Sequence, residues 1–234
     1  MNALELRTRL GEWVRSLLLA LGAWLLLRTF VIAAFHVTSG SMEDTILTGD
    51  VLFVARPLYG AEVPFTHHHL PALREPRHGD IVVFESVETP GLDVVKRVIG
   101  LPGDTLAMRA GTVFRDGGAL VEPYAKRTDP AGQDPPEYRA LMRRWQEPRL
   151  IGSHDGPYNP DRNNWGPIVV PPDSLFVMGD NRDSSWDGRF WGLLPRENLR
   201  GSPLFVYYSY DPSSWKVLPL ITAARWRRIF TVPR

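Results

Sequence analysis

The sequence predicts a mainly β protein: an N-terminal transmembrane helix followed by an antiparallel β-rich domain with an inserted irregular region. Two observations lead there. Residues 17–35 carry a single charge, Arg28, and are followed by short runs rich in valine, phenylalanine and tyrosine that Pro/Gly turns divide. No long amphipathic helix alternates with those runs, which argues against a parallel βαβ architecture.

Taken in order, residues 1–16 form a short segment with Arg7, Arg9 and Arg15, and the positive-inside rule places it in the cytoplasm. The apolar segment, Leu17 to Phe35, would make a helix about 28 Å long at 1.5 Å per residue, close to the thickness of a bilayer core. Arg28 sits near its outer end, where a long stem can snorkel to the headgroups, and Trp13 suits the other interface. A cleaved leader and a buried core helix are the competing readings; no small-x-small pair follows the apolar run, which disfavours cleavage. Residues 36–234 are then extracytoplasmic. Strands are expected at Val51 to Ala55, Ile81 to Glu85, Val94 to Ile99, Thr112 to Arg115, Leu175 to Met178 and Leu204 to Tyr210, with a turn at Leu101-Pro102-Gly103-Asp104. Residues 109–164 are polar, proline-rich and weakly patterned, and read as an insertion outside the core, with Tyr138 to Trp145 its helical candidate.

Composition narrows the function. In 234 residues, 27 basic and 26 acidic side chains leave a net charge of +1, and the body of the chain has no Lys/Arg-rich run, so nucleic acid is not an expected partner. The absence of cysteine excludes thiolate catalysis, disulfides and cysteine zinc sites together. His67-His68-His69 has no neighbouring carboxylate and reads as a solvated run rather than a metal site. No metal or cofactor is expected. The basic, aromatic tail around Arg225 to Phe230 suits either a membrane surface or a solvated terminus.

The chemistry concentrates in three stretches. Ser39-Gly40-Ser41-Met42 follows the apolar segment, and a serine there can be a nucleophile only if another part of the chain supplies a base. In Val94 to Ile99, strand alternation flanks Lys96 with Val94 and Val98; burial of that face would favour the neutral amine and make Lys96 a usable base. Otherwise Lys96 snorkels or pairs with a carboxylate. Arg97 cannot substitute, because a guanidinium does not deprotonate in proteins. Gly179 to Arg189 is the densest polar cluster, either a solvated turn or a buried network in which Asp187 pairs with Arg189 and Ser185 meets the lysine.

Together these stretches resemble the bacterial type I signal peptidases. The resemblance rests on Ser39 to Met42 with Thr45 and Gly49-Asp50, on His78 to Phe84 with Lys96 to Asp104, and on Gly179 to Asp183 with Ser185, Asp187, Arg189 and Trp191-Gly192. It covers about residues 17–104 and 165–208. It implies a membrane-bound serine endopeptidase of the bacterial inner membrane, single-pass, acting on precursor proteins that bear signal peptides. Ser41 is implied as nucleophile and Lys96 as base, with the Ser39 hydroxyl and the Ser41 N–H serving the oxyanion. Ser185 would orient the lysine, and Asp187 with Arg189 would support that wall. Phe35, Val37, Ile46 and Val95 would shape shallow pockets for small residues. Asp44 stands where the family usually has proline; it is expected to point to solvent, since an inward carboxylate would favour the charged lysine. A processing peptidase dedicated to one pilin- or conjugation-type partner, and a catalytically inactive peptide-binding β-domain, remain as alternatives. Oligomeric state is not legible.

Overall fold

A computed structural model describes residues 3–30, 32–60, 71–152 and 156–234. Helix α1 spans Ala3–Phe30, and the strands that precede the insertion are β1 (Ile32–His36), β2 (Asp50–Ala55), β3 (Ile81–Glu85), β4 (Asp93–Gly100) and β5 (Thr105–Arg109). Then follow β6 (Thr112–Arg115), β7 (Gly118–Ala119), helix α2 (Pro136–Gln146), β8 (Trp165–Val169), β9 (Ser174–Met178), a one-turn helix α3 (Gly188–Trp191), β10 (Leu194–Pro195) and β11 (Leu199–Ser209). All strand pairs within the sheets are antiparallel, in a seven-stranded sheet ordered β1-β2-β11-β3-β4-β9-β10 and a four-stranded sheet ordered β7-β6-β5-β8.

The expected strands all form, and the turn at 101–104 closes with the Asp104 N–H on Leu101 O at 3.0 Å. Period-two alternation decides their packing. On β3, Ile81 and Val83 enter a cluster with Val37, Met42, Ile46, Leu52 and Val54, while Val82 and Phe84 enter another with Val98, Leu175, Val177 and Leu194. Strand β11 bridges the two parts of the large sheet, pairing with β2 along 202–209 and with β3 at Leu199 and Gly201. A side chain at Gly201 would collide with Ala55 O, so this crossover requires glycine.

Two expectations need correction. The helix expected over 17–35 ends at Phe30, and the residues after it form β1, whose backbone groups pair with β2, Phe35 opposite Leu52. An apolar run of alanine, isoleucine and phenylalanine carries no signal separating strand from helix; the partner strand decides. Among the described residues, no helix is long and apolar enough to cross a membrane. The second correction concerns 109–164, which does not lie outside the core. Val113 and Met142 are fully buried with Leu106, Trp165, Phe176 and Met178, and α2, as expected from 138–145, packs beside α3. Its apolar residues are widely spaced between prolines and charges, so no periodicity exposes them to reading. His67 to His69 lie outside the described residues.

Candidate active site

Ser41 opens the turn between β1 and β2, and Lys96 projects from the middle of β4. The two meet: Lys96 Nζ donates to Ser41 Oγ at 2.7 Å, a hydrogen bond between residues 55 apart in sequence. Both side chains are buried. Lys96 Nζ also donates to its neighbour's carbonyl, Val95 O, at 3.2 Å, and no carboxylate forms an ion pair with it among the described residues. Burial therefore dominates and draws the amine down from 10.5 to about 8, with Asp187 pulling back, Arg189 adding to the fall and Asp180 opposing it. A lysine so placed exchanges its proton near neutrality. Ser39 Oγ lies 3.4 Å from Ser41 Oγ.

The wall behind the dyad is a set of buried charges. Arg189 grips Asp187 as a fork, Nε to Oδ1 and Nη2 to Oδ2 at 2.9 Å each, and both side chains are fully buried. Burial works to raise the Asp187 carboxyl, but Arg189 and the Gly179 N–H, which donates to it at 3.0 Å, outweigh that and hold it below the usual range. Ser185 is buried at this wall, but its hydroxyl makes no hydrogen bond to Lys96. It stands against Gly179: a side chain there would strike Ser185 Oγ and Ser41 O, so glycine lets the wall close on the nucleophile.

Three contributions escaped the sequence reading. Arg97, on the opposite face of β4 from Lys96, forks onto Asp180 at 2.8 and 2.6 Å and lies 3.9 Å over the Tyr124 ring. Asn181 donates its N–H to Ser41 O at 3.0 Å and its amide to Gly40 O at 3.2 Å. The tail supplies Arg228, which forks onto buried Asp50 and reaches Thr45 O, bracing the turn that carries Ser41. A cation beside a carboxylate elsewhere in the chain was the available signal, yet partners separated by over 80 residues cannot be matched without the fold. The insertion contributes too: Glu122 forks onto Arg182 at 2.9 and 2.6 Å, and Trp145 and Gln146 donate to Arg189 O.

Asp44 is exposed and turned outward, 3.2 Å from Lys126 Nζ. Its φ of 80° is one that proline cannot adopt, which fits the absence of proline at this position. Of the four residues implied to shape pockets, Phe35, Val37 and Val95 line a groove of about 500 Å³ that runs from Ala33 to Ser39 on one side and Leu92 to Val95 on the other. Ile46 is not among its lining residues; it is fully buried in the same cluster as Val37.

A buried serine and a buried lysine in hydrogen-bond contact, at the end of an apolar groove on an antiparallel β scaffold, make the arrangement of a Ser/Lys hydrolase. Comparison with known proteins gives the family. The model of the signal peptidase, peptidase S26, family matches residues 10–208. The chain is 36% identical over 200 residues to signal peptidase I of Leptolyngbya laminosa, covering 82% of this chain and 75% of that one. It is 34% identical over 225 residues to a probable signal peptidase I-1 of a Synechocystis strain, covering 93% and 91%. To signal peptidase I of Pseudomonas aeruginosa it is 30% identical over 226 residues, covering 90% and 76%. The chain belongs to the signal peptidase family, enzymes that cleave signal peptides from exported proteins.

Proposed function

We propose that the protein is a signal peptidase in which Ser41 is the nucleophile and Lys96 the general base, cleaving precursors after small residues of Ala-x-Ala type. The 2.7 Å contact between Ser41 and a buried lysine that, among the described residues, has no carboxylate partner carries this reading. The Lys96 lone pair takes the Ser41 proton as Oγ adds to the scissile carbonyl carbon, and the carbonyl electrons move onto oxygen. Ser39 Oγ and the Ser41 N–H face that oxyanion. Collapse breaks the C–N bond, and Lys96 returns the proton to the leaving amine. Water, deprotonated by Lys96, then releases the acyl group and restores Ser41.

The groove supports an extended substrate. Among the described residues, strand β1 is an outer edge, and the first half of β4 pairs with β3 alone, since β9 joins at Arg97. A peptide strand laid between them would meet free backbone groups on both sides, with alternate side chains directed into the apolar floor of Phe35, Val37, Leu52, Val83 and Val95. Membrane attachment through α1 belongs to the same reading. Leu17, Leu18 and Leu19 are consecutive, so they cover most of the helix circumference, and with Leu21 and Trp24 they are exposed. An exposed, largely apolar stretch of helix joined to the domain at β1 suits lipid. The N-terminus would then lie in the cytoplasm and the peptidase domain, 36–234, outside.

The test is cleavage of an Ala-x-Ala precursor by Ser41→Ala and Lys96→Ala. Each variant should lose turnover while keeping its circular dichroism spectrum. Substantial turnover by either would sink the dyad.

A further inference from the structure

We propose that Asn181 is a positioning residue for the oxyanion hole, holding the Gly40–Ser41 peptide so that the Ser41 N–H faces the reacting carbonyl. The inference rests on Ser41 being the nucleophile.

In a trans peptide the carbonyl and the following N–H share one plane and point in opposite directions. Whatever fixes Gly40 O therefore aims the Ser41 N–H. Asn181 Nδ2 donates to Gly40 O at 3.2 Å, and the Asn181 N–H donates to Ser41 O at 3.0 Å, so this one residue holds two successive peptide planes. The turn itself also holds the first plane, the Glu43 N–H donating to Gly40 O at 3.1 Å. Gly40 has no side chain, and no atom lies within 4 Å of the place a Cβ would occupy. Asn181 thus ties this peptide to the 179–189 segment, from outside its own turn.

The amide orientation follows from its partners. Nδ2 also donates to Glu43 Oε2 at 3.2 Å, and a flipped amide would press Oδ1 against two acceptors. Asn181 is itself held rigidly. Its neighbours Asp180 and Arg182 are buried and forked onto Arg97 and Glu122. The segment also pairs with the insertion, Lys126 N–H to Asp180 O at 2.7 Å and Arg182 N–H to Lys126 O at 2.9 Å. Two ion pairs thus anchor a short span whose middle residue grips the nucleophile turn.

Asn181→Asp keeps the shape but turns a donor into a charged acceptor facing Gly40 O and Glu43. With an Ala-x-Ala precursor, kcat should fall about 100-fold, the scale of losing one oxyanion donor, with KM within about twofold. In a Ser41→Ala background, adding Asn181→Asp should leave the Kd for a fluorescent Ala-x-Ala peptide unchanged. Val113→Ala, in the core away from the dyad, serves as a control for lost stability, and Asn181→Ser replaces Asn181→Asp if the latter does not fold. Folded Asn181 variants that keep kcat, or lose no more of it than Val113→Ala, overturn the proposal. Weakened peptide binding in the double variant also overturns it, because the role would then be in binding. Turnover by Ser41→Ala alone would instead remove the nucleophile assignment.

Discussion

The two faces of β4 handle equal burial in opposite ways. Lys96 and Arg97 are adjacent and each is 3% exposed. On the Lys96 face the cation has a serine hydroxyl and a carbonyl for company, so burial is uncompensated and the amine is drawn down to about 8. On the Arg97 face, Asp180 neutralises the charge with two short hydrogen bonds, Gly79 O takes a third and Tyr124 covers the guanidinium. One face leaves a proton easily moved; the other locks charge in place. The chemistry of the residues agrees: an amine can give up its proton inside a protein, and a guanidinium cannot.

The comparison breaks most sharply at Lys96→Arg. It keeps positive charge and length but has no neutral form, so precursor cleavage should fall by about 10⁴-fold or to background, as for loss of a member of a catalytic unit. On the opposite face, Arg97→Met should act through stability, leaving Asp180 buried and unpaired. Chemical denaturation should show a loss of about 3–5 kcal/mol. Full stability in that variant would mean that the Arg97 face is not the structural one.

The Lys96 face also makes a pH prediction. The neutral amine is the base, so kcat/KM should rise with pH and level off above a midpoint near 8. Unfolded lysine keeps its proton to higher pH than the folded group. Between about 8 and 10.5 the unfolded chain thus binds more protons, and Lys96 makes stability rise with pH across that window. Asp187 raises the Lys96 pKa and Arg189 lowers it, so Asp187→Asn should move the kcat/KM midpoint to lower pH, with a concurrent loss of stability because buried Arg189 loses its charged partner. Arg228→Ala, which strips Asp50 of its fork, should cost about 1–3 kcal/mol on denaturation and lower activity modestly. The smallest effect belongs to Asp44→Asn. Turned to solvent beside Lys126, Asp44 should leave the pH midpoint unmoved; a shift would show that its charge reaches the dyad.

Much of this was legible in the residues, and what was not has a physical cause. Strands at 81–85 and 112–115 read correctly because their valine and phenylalanine content matches a pleated, half-buried surface. Strand β1 did not, because Ile32 to Phe35 continues an apolar run that alone favours neither strand nor helix. The insertion was misplaced for the opposite reason: Val113 and Met142 are scattered among polar residues, and only packing shows them in one core. Within the site, the motifs carried Ser41, Lys96, Asp187 and Arg189. Ile46, implied as a pocket residue, is fully buried in the cluster that contains the groove residues Val37, Leu52 and Val83.

By itself the sequence determined which atoms can react: a serine that needs a base, a lysine flanked by valines, no cysteine, and a polar cluster too dense to be idle. Only tertiary structure decided their separation, because 55 residues of chain allow any distance between Ser41 and Lys96 until antiparallel pairing of β2, β11, β3 and β4 closes it to 2.7 Å. The same closure excludes water from the amine, and lost hydration rather than any neighbouring residue in sequence draws Lys96 toward its neutral form.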